Sequence, residues 1–202
     1  MGDEQYFQPL TQWDRISVML YRTGIVLSAI FILAAAWFLS NAPIYEGRIS
    51  LALLTNVLLL LLYASVGLSV FFIHLYIGKF HRGLKILFYI AVISLVILFI
   101  SGRGDVLAVL VSRSYGPLLL LPLAGCLGFI TAKEAFCFRL VEGYMLALIM
   151  PIYLVVLAGH GLSAKGSSYG LILIAALLVV FTFRKVFMPL HFDIGDKSAY
   201  TP

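Results

Sequence analysis

Charge is scarce in this chain: Asp, Glu, Lys and Arg make up 11% of its 202 residues. A soluble domain carries about 25%, enough to solvate its surface. With less than half of that, the chain cannot clothe a water-facing globule, and the soluble classes are set aside. Cysteine is rarer still. Cys126 and Cys137 fall on one apolar stretch and its end, where a helix would hold them about 16 Å apart. That is beyond disulfide reach, so free thiols are expected. The first fourteen residues also lack the basic region of a cleavable signal. They carry Asp3, Glu4 and Asp14 instead, so the first apolar helix is expected to be retained. The net charge of +5 is small and scattered, which excludes a nucleic-acid footprint.

What the chain has in excess is apolar length. Hydrophobic residues make up 62% of it and its mean hydropathy is +1.07. Runs of about 17–25 apolar residues are long enough to cross a bilayer as helices. Six such segments are predicted, at approximately 21–40, 49–76, 84–100, 115–132, 145–158 and 169–183. The expected fold is therefore all-α, a single polytopic transmembrane helix bundle. The first segment stops at Asn41-Ala42-Pro43, and Trp13, Tyr21, Arg15 and Arg22 before it resemble interfacial anchors. The second segment is long for a hydrocarbon core of about 30 Å and must tilt or protrude. Residues 106–111 are apolar but too short to cross, so a re-entrant or surface-lying piece is expected there. The tail from Arg184 onward reads as polar.

Lysine and arginine decide orientation. With both termini cytoplasmic, Arg15, Arg22, Lys79, Arg82, Lys85, Lys133, Arg139, Arg184, Lys185 and Lys197 lie inside. Only Arg48, Arg103, Arg113 and Lys165 lie outside. An odd number of spans would break this bias.

The densest polar stretch near the membrane is the junction from Lys133 to Gly143, with Glu134, Phe136, Cys137, Phe138, Arg139 and Glu142. Charges interleaved with bulky apolar residues suit an amphipathic piece in the cytoplasmic interface, a candidate for partner binding or gating. The plainer reading is a solvated loop with local ion pairs. Cys137 has no acid–base partner in sequence and is not expected to be catalytic. His74, in the second segment and seven residues before His81, is the candidate ligand for a pigment or metal centre. It could equally hydrogen-bond a neighbouring helix. Haem or chlorophyll are the groups such an imidazole can ligate, and chlorophyll or carotenoid are the cofactors left open. Asn56, in an apolar run, reads as a cross-helix hydrogen-bonding group, and Ala124, Gly128 and Ala132 form a small-residue seam for close helix packing.

Enzyme chemistry finds little footing. Gly161-Leu162-Ser163 follows His160 in a loop, the wrong setting for an intramembrane serine nucleophile. No metal-binding His-Glu-x-x-His run occurs. Coupled transporters place ionisable groups inside the bundle, whereas here the charges crowd the segment ends.

Lys133-Glu134-Ala135-Phe136-Cys137-Phe138, with Glu142, Leu146 through Pro151 and Gly159-His160, resembles an uncharacterised family of integral membrane proteins of cyanobacteria and plastids, defined as a domain of unknown function. The likeness is concentrated between about Pro117 and Gly161. It implies a thylakoid location and offers no catalytic residues to carry over. A subunit or assembly factor of a photosynthetic complex, bound laterally to a photosystem or its assembly intermediate, is what the resemblance implies about partners. The leading expectation is thus a non-enzymatic protein that binds another membrane complex. A small-solute transporter or channel, with a polar cavity near Asn56 or His74, is the alternative. A pigment-binding protein is the third.

Overall fold

The computed structural model describes residues 10–41 and 51–194. Nine helices follow one another among them: α1 (Gln12–Ser40), α2 (Leu51–Phe72), α3 (Gly78–Gly102), α4 (Val106–Ser112), α5 (Tyr115–Leu118), α6 (Leu121–Phe138), α7 (Val141–Ala158), α8 (Ala164–Val186) and α9 (His191–Ile194). Six of them, α1, α2, α3, α6, α7 and α8, are long and apolar enough to cross a membrane. The expected all-α polytopic bundle is what forms.

Local chemistry sets the boundaries. Thr11 and Asp14 cap each other's backbone N–H groups at 3.2 and 2.8 Å, which starts α1 nine residues before the apolar run expected from Tyr21. The second segment, expected over 49–76, is helical only from Leu51 to Phe72 among the described residues. At about 1.5 Å per residue that is already roughly 33 Å, enough for the hydrocarbon core. The fourth segment, expected over 115–132, is displaced. Pro122 sits in the first turn of α6, where its missing N–H costs nothing, and the helix then continues through the charged junction to Phe138. Ser163 Oγ accepts from Gly166 N at 3.1 Å and opens α8. The expected stop at Ala42-Pro43, Arg48, Lys197 and the acidic Asp3 and Glu4 lie outside the described residues.

α1 packs on α2 along one side and on α8 along another, while α6 packs on α7, α3 and α2. Two glycines permit the closest approaches. A Cβ at Gly24 would meet Ser65 O at 2.6 Å, and one at Gly143 would meet Ala135 Cβ at 2.9 Å. The outward faces are apolar, as on α3, where Ile86, Ile93, Val96 and Ile100 are exposed while Ala91 and Leu98 are sealed. That inversion is ordinary where lipid is the solvent.

The 106–111 piece is the short helix α4, lodged against α2 and α3 with Val106 and Val109 buried. It sits at the end assigned to the outside by the Lys/Arg distribution. The opposite end, which the same distribution assigns to the cytoplasm, collects the start of α1, the ends of α6 and α8, the start of α7 and α9.

Candidate functional site

Arg22 lies ten residues beyond the start of α1, roughly 15 Å along the helix, and Tyr21 precedes it. Both are buried, at 7% and 1% exposure. They are not the interfacial anchors expected from sequence. α6 brings Glu134 to the same place and α8 brings Lys185, both at 0% exposure. After α8 ends, Phe187 to Leu190 turn the chain back, and α9 inserts Asp193, which is also buried.

These side chains form one connected network. Tyr21 Oη donates to Glu134 Oε1 at 2.6 Å, and Lys133 Nζ donates to the same oxygen at 2.7 Å. Lys185 Nζ stands 2.5 Å from Glu134 Oε2 and also pairs with Asp193 Oδ1. Its ammonium lies 4.2 Å from the centre of the Phe138 ring, a cation–π contact. Arg22 Nε donates to Asp193 Oδ2 at 2.7 Å, with Nη2 2.5 Å from the same oxygen. The rest of the guanidinium donates to Val186 O at 2.9 Å, Met188 O at 2.6 Å and Pro189 O at 3.1 Å. Arg22 thus caps from α1 the last carbonyl of α8 and two in the turn that follows it.

Isolated charges in such a place would each cost several kcal/mol, and only dense mutual pairing offsets that. The pairing is unequal. Arg22, Lys133 and Lys185 face two carboxylates, Glu134 and Asp193, leaving one positive charge in excess. A second, shallower pair closes the rim, where Arg184 Nη1 donates to both oxygens of Glu142 at 2.8 Å.

Separate polar contacts line the seam between α1 and α2. Ser69 Oγ donates to Tyr21 O at 3.1 Å, and Ser28 and Ser65 share a hydrogen bond of 2.9 Å. Beside the network, in the linker between α2 and α3, His74 Nε2 lies 3.3 Å from Ser17 Oγ. Burial, then the positive charge of Lys133, hold the His74 imidazole below its ordinary pKa, against the opposing pull of Asp193 and Asp14. Towards the outer end the interior is apolar. Two cavities of about 150 and 120 Å³ both touch Ile32, Leu62, Leu120 and Leu171. Among the described residues, no group of three or more His, Cys, Asp or Glu is placed to hold a metal.

The structure separates the residues singled out from sequence. Lys133, Glu134 and Phe138 belong to the buried network, whereas Phe136, Cys137 and Arg139 are exposed at the end of α6. The junction is a spanning helix turning its charges inward, not an amphipathic piece lying in the interface. Glu142 is buried in the rim pair. Ala124 and Gly128 lie in the core, with Gly128 against Ala147, and Ala132 is half-buried. Asn56 donates to Gly104 O and accepts from Val106 N at 3.3 Å, tying α2 to the connection before α4. His74 lies beyond α2 rather than within a span.

Sequence reasoning missed Tyr21, Arg22, Lys185 and Asp193. Arg22 carried a signal: it falls between Val18-Met19-Leu20 and Ile25-Val26-Leu27, too deep in an apolar run to stay unpaired.

Residues 68–201, more than half of the chain, match the family described as "Uncharacterized integral membrane protein (DUF2301)". The chain belongs to this family. The DUF2301 match spans Glu134, Lys185 and Asp193 but begins after Tyr21 and Arg22. An uncharacterized protein of Haemophilus influenzae is 28% identical over 205 residues, covering 99% of both chains. This relative leaves the restriction to cyanobacteria and plastids without support. No solved structure matches the chain.

Proposed function

We propose that this DUF2301 protein is a non-enzymatic carrier of a small solute, with the Tyr21–Glu134–Lys185–Asp193–Arg22 network as its working centre. One observation carries the reading: Arg22, Glu134, Lys185 and Asp193 are all buried within the helical assembly. Ionisable groups inside a membrane bundle are expensive, and they characteristically serve substrate or proton pathways. The sequence reading disfavoured transport because charges crowded the segment ends. Burial of those same charges weakens that objection, and the paired charges lie beside His74, whose Nε2 is 3.3 Å from Ser17 Oγ. The seam of Ser69, Ser65 and Ser28 leads from the network toward the apolar cavities. The Haemophilus relative supports a bacterial plasma membrane as the location; the thylakoid and a photosynthetic role have only the original resemblance behind them.

Proteoliposomes holding the purified chain and a panel of radiolabelled small ions and organic acids provide the test. Uptake above protein-free vesicles for at least one solute, largely lost in Glu134→Gln, is expected. Vesicles no more permeable than lipid alone, to every member of the panel, would sink the reading.

A second reading, lateral binding to another membrane protein, is favoured by a groove of about 350 Å³ between α1 and α8, lined by Ile30, Leu33, Val179, Phe183 and Phe187. Thr182 Oγ1 lies in its wall without a hydrogen-bond partner. Co-purification from the native membrane in mild detergent, compared between the wild type and Val179→Trp, tests it. An unchanged set of companions would count against this groove.

A further inference from the structure

We propose that Arg22 and Lys185 form a binding site for a small free anion, a carboxylate or phosphate, and that Asp193 on α9 occupies it as a tethered stand-in. The inference rests on the carrier reading, because it names the class of solute that the network would take.

Three observations converge on it. The first is the grip on Asp193. Both carboxylate oxygens are held, Oδ2 by Arg22 Nε at 2.7 Å and Nη2 at 2.5 Å, and Oδ1 by Lys185 Nζ. A planar guanidinium beside an ammonium is how proteins hold free carboxylates and phosphates. The two cationic side chains are themselves sealed from solvent, at 8% and 0% exposure.

The second is the charge balance. Glu134 belongs to a spanning helix and is already engaged by Tyr21, Lys133 and Lys185. With Asp193 removed, Arg22, Lys133 and Lys185 would face Glu134 alone. Two uncompensated positive charges in a buried place demand a replacement anion.

The third is the standing of α9. Asp193 is carried by a four-residue helix that follows Phe187 to Leu190, a break containing Pro189, whereas every other charged member of the network sits on a spanning helix. Withdrawing the stand-in would thus displace no spanning helix, though it would have to release α9 from the turn that Arg22 holds at Met188 O and Pro189 O. Its departure must also part Phe192 from Phe138, whose rings are 6.2 Å apart, and uncover Ile194. These apolar contacts favour the closed arrangement until an anion competes. The Phe138 ring under Lys185 forms one wall of the site and limits it to small ligands.

The test uses the full chain purified in detergent. Melting temperature is followed for wild type, Asp193→Ala, Asp193→Asn and Arg22→Gln/Asp193→Ala. Inorganic phosphate, acetate, chloride and phosphatidylglycerol are added in turn at constant ionic strength. Phosphate or acetate should stabilise Asp193→Ala saturably, chloride should not, and the double variant should lose the response. Wild type should respond only at roughly tenfold or more higher concentration, because its site is competent only while α9 is away. A folded Asp193→Ala indifferent to both phosphate and acetate would overturn the proposal. So would failure of both Asp193 variants to fold even in saturating phosphate. A response to phosphatidylglycerol alone would assign the site to a lipid headgroup and overturn the free-anion form. Saturable anion binding without flux in proteoliposomes would support the site and sink the carrier reading. Flux in wild type with an anion-blind Asp193→Ala would do the reverse.

Discussion

Lys185 is the residue on which the cytoplasmic end turns, since it faces Glu134 and Asp193 at once and has no exposed surface. Lys185→Met would fill similar volume but strip both carboxylates of a partner. Removing one member of a buried ion network costs about 3–5 kcal/mol, so detergent unfolding of this variant should show a loss of that order. Tyr21→Phe removes one donor to Glu134 and leaves both lysines in place. Its loss should be smaller, about 1.5–3 kcal/mol for a hydrogen bond to a charged group. Equal losses for the two would mean the lysine pairing contributes nothing beyond the hydroxyl. His74 adds a pH dependence whose sign follows from its lowered pKa. The folded chain holds this imidazole neutral, whereas the unfolded chain protonates it near about pH 6.5. Its contribution is complete above that value, declines as pH falls through it, and levels off below the folded pKa. Wild type should therefore lose more stability on acidification than His74→Gln, as read from melting curves at neutral and mildly acid pH.

At the scale of helices, the contact of α6 with α7 depends on Gly143, where an added methyl would run into Thr131 O and Ala135 Cβ. Gly143→Ala should push the pair apart and cost about 1–3 kcal/mol, while Gly83→Ala, with open space around it, should be nearly neutral. Similar melting temperatures for the two variants would refute the close approach. At the outer end, Asn56→Leu should free the connection before α4 and speed amide exchange at Gly104 and Val106, leaving the cytoplasmic network unchanged. The six spans were legible because hydropathy reports the solvent a helix meets. Their ends were less so. α1 begins nine residues early because capping chemistry, which carries little hydropathy, starts it at Thr11. α6 runs through Lys133 and Glu134 because these charges find partners inside, a fact held by residues 21 and 185 rather than by the local stretch. The site was half legible on the same grounds: Glu134 stood in a visible polar cluster, but Asp193 reads as tail until the chain is folded.

For the molecule as a whole, six spans and the Lys/Arg asymmetry predict that the buried network lies at the cytoplasmic end. The native cysteines check this without engineering, since Cys137 is exposed there and Cys126 is buried. A membrane-impermeant maleimide should label Cys137 in inside-out vesicles and leave it unmodified in right-side-out ones, with Cys137→Ser abolishing the signal. Labelling from the outer face would invert the topology.

Arg22 and Asp193 are separated by 171 positions in the chain. A ribosome adding about 5–20 residues per second needs roughly 10–30 s between them. Until that interval ends, the Arg22 guanidinium awaits the carboxylate that holds it in the finished fold. A chain cut short before the eighth helix would leave Arg22 without Asp193 and Glu134 without Lys185, so its buried charges stay uncompensated until the last helix is made.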